Sequence, residues 1–126
     1  MKYLQKTIDL DYLKNLSGGD NQLIVDMIQL FITEITTESK LIEKGIVDSN
    51  FKLIKSSIHN IRGVIHYVGL DKIVKKDLIQ IEKLALNKID IIGINILFSK
   101  INKQFKRAID ELNNWILLSN AKKICN

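Results

Sequence analysis

Across 126 residues there is no proline, and apolar side chains return every three or four positions through four long stretches. Proline inside a helix removes a backbone hydrogen bond and clashes with the preceding turn, so its absence suits long, uninterrupted helices. The first stripe is Ile24, Ile28, Phe31, Ile35 and Ile42, and the second is Ile54, Ile58, Ile61, Ile65 and Val68. Val74, Leu78, Ile81 and Ala85 form the third; Ile94, Leu97, Ile101, Phe105, Ala108, Leu112 and Trp115 form the fourth. Each is the buried face of an amphipathic helix. No stretch alternates with period two for long enough to read as a sheet. The fold class is therefore all-α: an antiparallel four-helix bundle with a short extra N-terminal helix.

Caps divide the chain further. Asp20, after Gly18-Gly19, is placed to N-cap the first long helix, and Gly45 to end it. Asp48, Ser49 or Asn50 caps the second helix, whose periodic face runs from Phe51 to Val68, with Gly69 as a left-handed C-terminal cap. A loop at Asn87 to Asp90 precedes the fourth helix. One domain, 1–126, follows, with a short helix and turn at 8–19, the bundle at 20–118 and a frayed tail at 119–126.

Hydrophobic residues make up 46% and charged residues 26%, enough for a packed core and unlike a disordered chain. The single cysteine, Cys125, has no internal partner and fits a reducing cytoplasm. Met1 to Thr7 lacks the apolar core of a signal peptide. The run Ile89 to Phe98, broken by Asp90, Gly93 and Asn95, falls well short of the roughly 20 residues of a membrane span. The expectation is a cytoplasmic protein with no membrane partner. The formal charge of +5 comes from lysines scattered among acidic residues, so no basic run is present to track phosphates, and nucleic acid is not an expected partner.

The segment Ser56-Ser57-Ile58-His59-Asn60-Ile61-Arg62-Gly63-Val64-Ile65-His66 carries the chemistry. At about 100° per residue, His59, Arg62, Gly63 and His66 form a second stripe, rotated by roughly 130° from the apolar one. His59 is thus flanking rather than buried. Gly63 lies one turn after it, where a larger side chain would lie over the ring, and its missing Cβ leaves room for a partner or a phosphoryl group. His66 reads either as a docking contact or as a solvated side chain. His59 and His66, separated by about 10 Å of helix, have no further ligand for a metal site, and Ser56 and Ser57 have no orienting acid or oxyanion hole for hydrolase chemistry.

The run His59-x-x-Arg62-Gly63, with Gly69 further on, resembles the phosphoacceptor helix of histidine-containing phosphotransfer (HPt) domains, whose usual pattern is His-x-x-Lys-Gly followed by a glycine at this distance. Ile8 to Asp20, ending Ser17-Gly18-Gly19-Asp20, is similar to their short leading helix and turn, so the likeness spans about residues 8 to 86. Arg62 departs from the usual lysine, keeping the charge but exchanging a flexible point charge for a planar fork.

The resemblance implies a phosphorelay intermediate that shuttles a phosphoryl group between receiver-domain aspartates through His59, with Arg62 compensating phosphoryl charge. It implies partners among response-regulator receiver domains and a hybrid histidine kinase, monomeric action, no cofactor of its own, and magnesium held by the receiver. The family often has a helper glutamine or glutamate on the next helix, a place that Gln80 or Glu82 fills. Docking is expected around Lys55, Ile58, Asn60, Val64 and His66, with Lys52 adding to a basic surface that suits an acidic receiver pocket. The competing expectation is a non-phosphorylated adaptor that binds a receiver or kinase and blocks its surface. Without the leading segment, His59 would read as a surface histidine on a generic helical bundle.

Overall fold

A computed structural model of the chain describes residues 7–125, with side chains described as far as Asn120. Met1 to Lys6 and the Cys125 thiol, on which parts of the sequence reading fall, lie outside the described residues. Every described element is helical: α1 (Asp11–Ser17), α2 (Asn21–Val47), α3 (Phe51–Arg62), a short 3-10 turn (Ile65–Val68), α4 (Asp71–Leu86) and α5 (Ile91–Cys125). No strand occurs among the described residues.

The apolar stripes become one core. The first three are buried throughout, and in α5 Ile94, Phe98, Ile101, Phe105, Ala108 and Leu112 are buried. Phe98 takes the fully buried place expected of Leu97, which is half-buried beside the core, as is Trp115. Burial of each large aliphatic side chain contributes about 1.5–3 kcal/mol before chain entropy is set against it. α2 packs on α3, α3 on α4, α4 on α5, and α5 back on α2, while α1 lies against α2 and the 3-10 turn.

Helix starts follow local chemistry. The Asp20 carboxylate accepts from the backbone N–H of Gln22 and Leu23 at the start of α2, and the Asn50 side chain accepts from Leu53 N–H at the start of α3. Both satisfy donors that a helix N-terminus leaves unpaired. The segment before α1 is tied down at a distance: Glu111 of α5 accepts from the N–H of Thr7 and Ile8. Asp9 adds a nearer clasp, accepting from Asp11 N–H and lying 3.6 Å from the Lys72 ammonium. The Asp11 N–H holds the Asp9 carboxyl below the usual carboxylate range; slight desolvation works against it and Lys72 works with it.

Two boundaries differ from the sequence reading. Gly45 does not end α2, which continues to Val47; it is buried where α3 crosses, and a Cβ there would come within 2.8 Å of Ile54 Cγ1. The histidine helix does not run to Val68. It ends at Arg62, passes through Gly63 and tightens into the 3-10 turn, so Gly69, at φ +74°, caps the turn instead. Ile65 and Val68 stay buried all the same, because the tighter turn still points them at the core. α5 is assigned as helix through Cys125.

Candidate functional site

Ile54, Ile58 and Ile61 anchor α3 with no exposure, which turns His59 outward: its side chain is 76% exposed. One turn on, Arg62 is 35% exposed and pairs with Glu82 of α4. α4 is fixed by Val74, Leu78, Ile81 and Ala85 in the core, and Glu82, next to Ile81, sits at the edge of the α3–α4 seam with 20% exposure. Its Oε1 engages the Arg62 guanidinium, while its Oε2 lies 3.9 Å from His59 Nδ1. That separation is too long for a hydrogen bond and within ion-pair reach of a charged ring. One carboxylate therefore faces both an imidazole and a guanidinium.

The two candidate helpers are placed differently. Glu82 stands beside His59, whereas Gln80 is exposed on α4. Nδ1 is the ring nitrogen on the Glu82 side.

Gly63 plays a narrower part than its spacing suggests. A Cβ there would meet the backbone oxygens of Asn60 at 3.3 Å and His59 at 4.0 Å, with no atom of the imidazole within 4 Å. The Gly63 N–H closes α3 by donating to the His59 and Asn60 carbonyls.

The expected docking residues separate. Lys55 is exposed, as is Lys52, and neither enters an ion pair among the described residues. Ile58 is fully buried in the core and cannot touch a partner, because it occupies the same stripe as Ile54 and Ile61. Val64 is half-buried against the core. Asn60 lies on the α2 side of His59, its amide donating to Glu38 Oε2 at 3.2 Å. His66 leaves the His59 stripe when the helix ends: its ring packs against Tyr67 and edge-on to Tyr12 of α1, with centroids 4.5 and 5.2 Å apart.

Glu38 is the residue that pattern reading passed over. It is 8% exposed, and its Oε1 has no hydrogen-bond partner among the described residues. Its signal was present in the sequence, since a carboxylate stands between Ile35 and Ile42 in the register of the α2 core stripe.

The site is an open surface. A cleft of about 770 Å³ lies elsewhere, between the Thr7–Asp11 segment, α4 and α5, and His59, Arg62 and Glu82 are not among its walls. Among the described residues no group of three or more His, Cys, Asp or Glu side chains gathers to hold a metal ion, and no described helix is long and apolar enough to cross a membrane. The His59 imidazole is exposed to solvent beside a carboxylate that also holds the Arg62 guanidinium, and an exposed imidazole can in chemical terms serve as a nucleophile. Comparison with protein-family models, curated proteins and solved structures finds no match to this chain.

Proposed function

We propose that this chain is a histidine phosphotransfer intermediate, passing a phosphoryl group between receiver-domain aspartates through His59. The observation that carries the reading is the surface triad: a 76% exposed imidazole with Arg62 and Glu82 grouped on its flank. The frame is an antiparallel four-helix bundle of α2 to α5, supported by their cyclic order of packing and their short connections, with α1 as the extra helix.

In the step itself, Nε2 attacks the phosphorus of an aspartyl phosphate, the P–O bond to the aspartate breaks, and the carboxylate leaves with the electron pair. The proton on Nδ1 stays on the ring, which carries positive charge facing Glu82. The reverse step returns the phosphoryl group to a second aspartate. Arg62 is placed to balance charge on the transferring group. The receiver brings its magnesium ion and the rest of the transition-state stabilisation, which is why this chain needs no cofactor and is not a self-sufficient enzyme. Lys52 and Lys55 offer a basic rim to an acidic receiver surface. The reading places the protein in the cytoplasm, acting as a monomer between a hybrid histidine kinase and a response regulator.

The test is transfer from a phosphorylated receiver domain in magnesium to the wild type and to His59→Gln. The wild type gains an acid-labile, base-stable phosphate and the variant gains none. Labelling that persists in His59→Gln would move the acceptor to His66, and a folded wild type that no receiver labels would favour the adaptor.

A further inference from the structure

The position of Glu82 matters at a site proposed to carry a phosphoryl group. A carboxylate beside the acceptor repels the dianion that arrives, and it already holds the cation that would neutralise it. Yet it also faces Nδ1, the nitrogen that keeps the ring proton when Nε2 is phosphorylated. At 3.9 Å the carboxylate is too far for a hydrogen bond and within ion-pair reach of a ring that carries positive charge.

The charge on the ring governs the P–N bond. Water or an aspartate attacking the phosphorus of a protonated phosphoimidazole expels neutral imidazole, with Nδ1 keeping its proton and Nε2 recovering its lone pair. From an unprotonated ring the leaving group is an imidazolate anion, which departs poorly. By favouring the protonated ring, Glu82 favours departure. Its repulsion of the phosphoryl oxygens and its competition for Arg62 act in the same direction.

We infer that Glu82 keeps the phosphohistidine short-lived, making His59 a conduit that hands its phosphoryl group on quickly and a poor place to store it. This rests on the phosphotransfer reading. Glu82 acts through the ring and through Arg62, and does not itself bond to the phosphoryl group.

The full chain is phosphorylated with phosphoramidate, which needs no protein partner, freed of reagent, and followed by intact mass for loss of the phosphoryl group. The expected result is that Glu82→Gln retains it roughly fivefold longer than wild type, the factor given by one unit-charge interaction at about 4 Å in a water-like dielectric. Arg62→Gln, which breaks the same ion pair, shortens the lifetime, because the phosphoryl group loses its only adjacent guanidinium. Opposite signs identify charge effects; a merely structural role for the pair would move both variants the same way. Glu82→Asp, which keeps the charge, stays close to wild type. Labelling at His59 with a Glu82→Gln lifetime equal to or shorter than wild type overturns this inference and leaves the phosphotransfer reading standing. Equal labelling of wild type and His59→Gln removes that reading, and this inference with it.

Discussion

Two carboxylates flank α3, and the fold treats them differently. Glu82, at the α4 edge, is paired with Arg62 and open enough to act on His59. Glu38, on the α2 side, is buried with one oxygen bonded to Asn60 and the other without a partner among the described residues. A buried carboxylate that loses a hydrogen bond retains the full cost of its desolvation. Asn60→Ala should therefore destabilise the protein by about 1–3 kcal/mol, read as a lower urea midpoint at unchanged slope. A midpoint equal to wild type would mean that solvent serves Glu38 as well as the amide does. At this scale the spacing put His59 and Arg62 together on one flank of α3, where the fold exposes them, but it left Gln80 and Glu82 unresolved. With Ile81 in the core, the two project to opposite sides of α4, and which side meets α3 depends on the lateral order of the helices. That order is a tertiary property that no single helix encodes. Ile58 was misplaced for a related reason, since one residue cannot serve both the core stripe and the docking face.

The elements were legible wherever apolar period and caps agree. Asp20 and Asn50 start their helices, and the four stripes became the core. The break after Arg62 was hidden because Ile65 and Val68 continue the helical spacing of buried positions even though the backbone has changed to a 3-10 turn. Gly45 misled in the opposite sense: glycine near a helix end commonly caps it, whereas here it lets α3 approach. Gly69 is constrained twice. Its φ of +74° is one that other residues adopt at a cost, and a Cβ would fall 2.6 Å from Asp9 Cβ, in the strand of chain that leads into α1. Gly69→Ala is thus predicted to destabilise by roughly 2–4 kcal/mol, combining left-handed strain with overpacking. Amide hydrogen exchange should show the loss of protection concentrated in α1 and the 3-10 turn. A loss spread evenly over α2 to α5 would contradict the view that this contact is local.

The whole molecule is a helical frame that carries the exposed His59 imidazole on its surface. The core and the site share α3 and α4, yet they use different faces: Ile54, Ile58, Ile61, Leu78 and Ile81 hold the helices, while His59, Arg62 and Glu82 stand at their outer edge. Chemistry at the edge can therefore change without disturbing the frame, and His59→Gln is expected to keep wild-type stability to within about 0.5 kcal/mol. The central claim is that His59 is a relay point, and it is tested most directly by a two-stage transfer. The chain is labelled from one phosphorylated receiver, separated from it, and mixed with a second receiver in magnesium. The account predicts that label leaves His59 and appears on the second receiver's aspartate, with none passing through His59→Gln. Label that never reaches His59, or that reaches it and is released only to water, would contradict it.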